Sequence, residues 1–290
     1  MKAPKFAYVR ATSIAHALDL LGQHGDDARI LAGGQSLMPT LNMRLSSPKL
    51  LIDINRLDQL AGIRLDGATV RIGALTRHAE VATSPGIAEH LPLIAAAMPH
   101  VAHVAVRNRG TFGGSVALAD PAAEMPACLL ALGGRIVLES RARGRREVAA
   151  DDYFHGLYQT ARQPAELLVE ALIPAEQRDT VSTFQELSRR HGDFAMVGVA
   201  ARTRVVKGTI ADTRLVYFGS EVKPTLGTNA MAAAKGRPWN DTTRDAVLAA
   251  LGNDLDPMDN LFGRPATKLH LQRVLTKRAL DEAITKAAAA

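Results

Sequence analysis

Apolar residues first recur at helical spacing: Ile14, Ala17, Leu18 and Leu21 share one face, with Ser13 as N-cap and Gly22 as stop, and predict an amphipathic helix. Two short apolar runs, residues 28–32 leading into Gly33-Gly34 and residues 50–54 after the Ser46-Ser47-Pro48 breaker, predict strands. Residues 69–73 alternate as a half-buried strand does, and helical spacing follows over 77–81 and 87–98. The polar, glycine-rich stretch 107–115 predicts a loop. Asp120-Pro121 then opens a helix over 122–132, because the fixed φ of proline suits a first turn. Strands are predicted at 135–139 and 166–171, the latter closed by Pro174.

From residue 181 the texture changes to longer alternating runs, at 181–187, 194–206 and 209–218, the pattern of an antiparallel meander. Helical stretches near 241–251 and 266–289 complete the chain. The pattern reads as an α/β first part and an α+β second part, with Phe194 and the five residues after it in a core strand.

Of 290 residues, 47% are hydrophobic, enough for a sizeable core and against a disordered or fibrous chain. One cysteine, Cys128, excludes an internal disulfide and any four-thiolate zinc or iron–sulfur site held by this chain alone. In its apolar helical setting it reads as a small buried hydrophobe. The balance of 35 basic to 29 acidic residues, a charge of +6, permits acidic partners without demanding them, and 4% aromatic content offers few platforms for single-stranded nucleic acid. Arg141, Arg143, Arg145 and Arg146 read as a solvated loop. The start lacks the features of a secretory signal, and the most apolar window, 91–98, is far shorter than the ~20 residues that cross a bilayer. A cytoplasmic protein without a membrane span is expected.

Two double-glycine segments carry the candidate chemistry: Ala32-Gly33-Gly34-Gln35-Ser36 after a strand, and Thr111-Phe112-Gly113-Gly114-Ser115 before a helix. Paired glycines let backbone approach a ligand, and the N–H groups they leave, with a neighbouring hydroxyl, suit phosphate oxygens. They also make tight turns, and the residues alone leave both readings open. The chain has no Gly-x-Gly, no P-loop ending, no Gly-x-Ser-x-Gly elbow and no His-Glu-x-x-His pair. His100 and His103 fit one helix face, but no carboxylate or thiol at matching spacing completes a metal site.

Taken in order, Ala32-Gly33-Gly34-Gln35-Ser36-Leu37-Met38-Pro39, Arg107-Asn108-Arg109-Gly110-Thr111-Phe112-Gly113-Gly114-Ser115 and Ala119-Asp120-Pro121-Ala122-Ala123-Glu124-Met125-Pro126 resemble the FAD-binding medium subunit of the xanthine dehydrogenase and carbon monoxide dehydrogenase family of molybdenum hydroxylases. The resemblance continues through Glu166-Leu167-Leu168 and Arg189-Arg190-His191-Gly192-Asp193-Phe194-Ala195 to Arg278-Ala279-Leu280.

The resemblance implies an α+β fold: a two-lobed FAD-binding domain of the vanillyl-alcohol-oxidase type over 1–175, with lobes of about 1–57 and 58–175, and a C-terminal α+β domain with an antiparallel sheet over 178–288. By the same analogy Leu31, Ala32, Gly33, Gly34, Gln35, Ser36, Leu37 and Met38, with Thr111, Phe112, Gly113, Gly114 and Ser115, cradle the pyrophosphate, mostly through backbone N–H groups. Glu124 meets the cofactor, and Val101 and Leu168 pack near it. No catalytic acid or base and no metal ligand is assigned.

The implied function is electron transfer. The flavin takes electrons from [2Fe–2S] clusters of a small partner subunit and passes them to an external acceptor such as NAD, a quinone-linked carrier or oxygen. A large subunit with the molybdenum cofactor oxidises the substrate, and the complex is a dimer of heterotrimers. Phe112 and Ser115 depart from the family's usual residues, a variation associated with aromatic or N-heterocyclic substrates. Many relatives carry a lysine near Gln185 or Glu186, which this chain lacks. A free-standing FAD-dependent oxidoreductase and, in another class, a basic nucleic-acid or scaffold protein are the alternatives.

Overall fold

The computed structural model describes residues 2–289. Its first lobe contains β1 (Ala7–Arg10), α1 (Ile14–His24), β2 (Ala28–Leu31), α2 (Leu37–Asn42) and β3 (Leu50–Asp53). The strands are parallel in the order β1-β3-β2. Ser13 Oγ caps α1 by accepting from His16 N–H at 3.0 Å, and Ala17, Leu18 and Leu21 turn inward. The helix passes through Gly22 and stops at Gly25, the glycine whose φ of 48° only a residue without Cβ adopts easily.

The second lobe begins with β4 (Ile63–Asp66) and β5 (Thr69–Gly73). Six helices follow: α3 (His78–Thr83), α4 (Pro85–His90), α5 (Pro92–Ala97), α6 (Val104–Arg107), α7 (Phe112–Leu118) and α8 (Glu124–Ala131). It closes with β6 (Arg135–Ser140), β7 (Gly144–Ala149), the small pair β8 (Phe154–Gly156) and β9 (Gln159–Thr160), and β10 (Leu167–Pro174). The main sheet, β4-β5-β10-β6-β7, is antiparallel. Strand β10 is an unbroken apolar run because both its faces are covered. Leu168, Ala171 and Ile173 join the core under the helices, while Leu167, Val169 and Leu172 join Leu18, Leu21 and Ile52 of the first lobe. Strand β10, with Val137 of β6 and Leu75, thus joins the apolar interiors of the two lobes.

The remaining chain forms β11 (Thr180–Ser188), β12 (Ala195–Val206), β13 (Thr209–Phe218), β14 (Thr225–Leu226), α9 (Thr228–Ala234), β15 (Arg237–Pro238), α10 (Asp241–Asp254) and α11 (Pro265–Ala289). The predicted meander is present as β11-β12-β13-β14. Val197, Val199, Leu215 and Tyr217 pack under the last three helices, and the other sheet face sends Phe184, Ala200 and Phe218 into the core of the second lobe.

Several expectations change. Residues 87–98 are two helices, since Pro92 has no N–H to continue the first and starts the second. The predicted loop at 107–115 takes in the last residue of α6 and the start of α7, and the next helix begins at Glu124. Phe194 lies outside β12 and is 62% exposed. The arginine run spans the exposed turn between β6 and β7 and the start of β7: Arg141 meets Asp19, Arg145 meets Glu139, and Arg146 makes a two-pronged contact with Glu166 at 2.6 and 2.7 Å. Cys128 is fully buried in α8, and burial raises its thiol well above the ordinary value.

Candidate functional site

A cleft of about 1260 Å³ runs between the lobes and under the C-terminal domain. Of the expected residues, Ala32, Gly33, Gly34, Gln35, Ser36, Leu37, Val101, Thr111, Gly113, Gly114, Ser115, Glu124 and Leu168 line it. Leu31 and Met38 line instead a second hollow of about 650 Å³ that also takes Gly33 and Gly34, among Arg10, Arg56, Arg77 and Arg109. The Phe112 ring is wholly buried in the core.

The two glycine segments play different parts. In the first, the backbone N–H groups of Gln35 and Ser36 have no partner among the described residues, and Ser36 Oγ does not cap α2. In the second, four of the five N–H groups are committed: Phe112 donates to Thr76 O, Gly113 to Ala74 O, Gly114 to Thr111 Oγ1 and Ser115 to Thr111 O. Most of the backbone donors of this loop are thus engaged within the protein. Thr111 caps α7 and compensates for two glycines in its first turn, which weaken a helix.

Residues that sequence reasoning missed hold the segments together. Arg77 donates to the Arg109 carbonyl and, at 2.8 Å, to Asn55 Oδ1; Asn55 Nδ2 donates to Ala32 O at 2.8 Å. This hook ties the first lobe to the second. Arg107 donates to the carbonyls of Val101 and Ala102 at 2.8 and 2.7 Å and fixes the turn that presents Val101. Gly33 packs backbone against backbone on Arg109 and Gly110. Arg77 and Asn55 stand in no local motif, whereas Arg107 opens the second glycine-rich segment.

Two titratable groups line the inner cleft. His78 Nδ1 is buried without a partner; burial first, then the Arg107 charge, lowers its pKa to about 4, so the ring is neutral at pH 7. Burial, against its own backbone N–H, and then Asp120 raise Glu124 to about 7. A carboxyl that ionises at a higher pH in the fold than its ordinary 4.5 stabilises below that value, and the contribution is lost as pH rises through 7. Glu124→Gln should therefore flatten the fall in Tm between about pH 5 and pH 8. Thermal melts across that range check this, and equal slopes in the two proteins would remove Glu124 as the cause.

The C-terminal domain supplies the outer wall. Arg189 lies 5.3 Å over the Phe262 ring and donates to Leu261 O at 2.8 Å, beside the exposed Phe194. Gly192 packs on His103, while His100 turns away toward Phe184, so the histidines diverge. Among the described residues no group of three or more His, Cys, Asp or Glu is placed to hold a metal ion.

These features fit an extended dinucleotide such as FAD. The cleft exceeds the ~300–1,000 Å³ of a small-ligand pocket, uncommitted donors face it at one segment, and His78 offers an orphaned ring nitrogen. No helix among the described residues is long and apolar enough to cross a membrane.

Comparison with known proteins agrees. Residues 4–176 match the family described as the FAD binding domain in molybdopterin dehydrogenase, and residues 182–283 match the CO dehydrogenase flavoprotein C-terminal domain. The chain is 44% identical over 275 residues to caffeine dehydrogenase subunit beta of Pseudomonas sp. (strain CBB1), covering 95% of this chain and 86% of the relative. It is 38% identical over 288 residues to the 6-hydroxypseudooxynicotine dehydrogenase complex subunit alpha of Paenarthrobacter nicotinovorans, covering 99% and 97%. A solved carbon monoxide dehydrogenase from Hydrogenophaga pseudoflava superposes with a TM-score of 0.95 at 37% identity, covering 98% of each chain. With both family models matched in order along an inter-lobe cleft, the chain belongs to the FAD-binding medium subunits of the xanthine dehydrogenase and carbon monoxide dehydrogenase family, oxidoreductases of the molybdenum hydroxylase type.

Proposed function

We propose that this chain is the electron-transfer subunit of a cytoplasmic heterotrimeric molybdenum hydroxylase, assembled as a dimer of heterotrimers. It receives electrons from [2Fe–2S] clusters on a small subunit and delivers them to an external acceptor, while a large subunit with the molybdenum cofactor oxidises the substrate. The observation that carries this reading is the cleft itself, which crosses both lobes and leaves the Gln35 and Ser36 N–H groups uncommitted. The clusters belong on another chain, because the only cysteine here is buried in α8.

On this reading FAD is held by the backbone of residues 32–37 and the Ser36 hydroxyl, by the hydroxyls of Thr111 and Ser115, and by contact with Val101 and Leu168, a reading supported by their place along the cleft. Bound FAD supplies the exchange between one- and two-electron chemistry; the chain supplies binding and orientation. We take 1–175 as the FAD-binding domain and 178–288 as the C-terminal domain. An N-heterocyclic or related aromatic substrate is supported by Phe112 and Ser115 and by the names of the two relatives above.

The chain, co-expressed with its large and small partners and desalted after incubation with FAD, should retain stoichiometric flavin released as FAD, with iron and molybdenum in the same peak. An assembled complex without flavin would overturn the assignment.

A further inference from the structure

Near enough to Glu124 for its charge to act there stands a buried carboxyl group with no hydrogen-bond partner. Glu186 projects from β11 with its side chain 1% exposed, and neither oxygen has a hydrogen-bond partner. Buried carboxyls are ordinarily hydrogen-bonded, so an orphan of this kind calls for another role. Among the described residues the sole basic side chain within 4.0 Å of it is His100, whose Nδ1 lies 3.9 Å from Oε2. His100 is held at its other face by Phe184 at 5.2 Å, and it stacks parallel to the exposed His191 at 6.3 Å. Glu124 and Cys128 face Glu186 from α8, and Glu176 faces the same interior. His191, His100 and Glu186 form a file inward from solvent, and the charge of Glu124, which lines the cleft, acts on its inner end.

Resting on the function proposed above, we propose that this file carries the proton that accompanies flavin reduction, with Glu186 as its inner relay. Electrons from iron–sulfur clusters arrive without protons. Two-electron reduction of FAD near neutral pH requires one proton, which must come from solvent through the protein. An acceptor that removes a hydride takes that proton with the electron pair, and an acceptor of electrons alone leaves it to return along the same path. The gap of 3.9 Å between His100 and Glu186 closes by side-chain rotation or one bridging water.

Charge states agree with the geometry. Burial, then the Glu124 charge, pushes Glu186 up to about 8, so it holds a proton at pH 7. Burial, then His191, lowers His100, leaving a neutral imidazole that accepts on one nitrogen and donates on the other. Glu176 is raised mainly by burial but is engaged with Ser182 at 2.5 Å, and the buried Cys128 thiol stays protonated.

The test uses the FAD-loaded full chain, reduced by a photogenerated one-electron donor, with an indicator dye reporting proton uptake. Glu186→Gln should keep wild-type flavin content while proton uptake slows on the order of 10²-fold and loses its solvent deuterium isotope effect. His100→Phe, nearer the surface, should slow uptake at least tenfold and serves if the first variant fails to fold. Flavin-replete variants that take up the proton at the wild-type rate would overturn the relay and leave the flavoprotein reading standing. A wild-type complex without flavin would overturn both.

Discussion

Gly33→Val is expected to give a folded chain whose affinity for FAD is lower by at least about 100-fold. An added Cβ at this position meets the Arg109 carbonyl oxygen at less than contact distance and lies 2.8 Å from Gly110 Cα. Both obstacles are backbone, so no rotamer change makes room. The only relief is for the two glycine segments to part, which widens the cleft where the uncommitted N–H groups of Gln35 and Ser36 stand. The residue is half-buried at the lobe edge, and neither apolar core includes it, so the cost falls on binding before it falls on folding. Flavin fluorescence titration alongside a thermal melt checks the separation of effects. Wild-type affinity in a folded variant would remove Gly33 from the site.

Gly113→Val should act on the fold itself. Its Cβ would sit 2.6 Å from both Cα and Cβ of Ala74, and Gly113 N–H already donates to Ala74 O at 3.0 Å. This first turn of α7 is pinned to the end of β5 inside the core, with Phe112 and Val116 fully buried around it. Overpacking of this kind costs about 3 kcal/mol, and for a protein of this size that corresponds to a Tm lower by roughly 6–12 °C. Differential scanning calorimetry measures it; an unchanged Tm would show that α7 moves freely off β5. The paired glycines thus separate by experiment, one acting on the cleft and one on the core.

The contrast marks how far the chain could be read from its residues. Strand β2 and its glycine ending were legible because an apolar run, a glycine pair and a hydroxyl follow one another within nine residues. The meander was legible because its strands alternate over 9 to 12 residues. Helix α7 was hidden by two glycines in its first turn, whose propensity cost is offset by the Thr111 cap and by core contacts from distant sequence. Distant contacts also consumed two of its N–H groups, since Thr76 and Ala74 accept from Phe112 and Gly113. Arg77 and Asn55 gave no signal at all. Each is an ordinary polar residue until the fold brings Arg77 against carbonyls 32 residues away. Phe194 failed for a simpler reason: a large apolar residue beside a strand pattern reads as core, yet here it faces the cleft mouth.

The hook of Arg77, Asn55 and Ala32 closes on protein atoms alone. The width of the cleft is therefore set when the chain folds, and the ordering of its walls is not charged to the arrival of a ligand. A cofactor entering such a slot is captured at a pace governed by encounter. Its residence time, not its rate of capture, is then the quantity that sequence changes along the hook would lengthen or shorten.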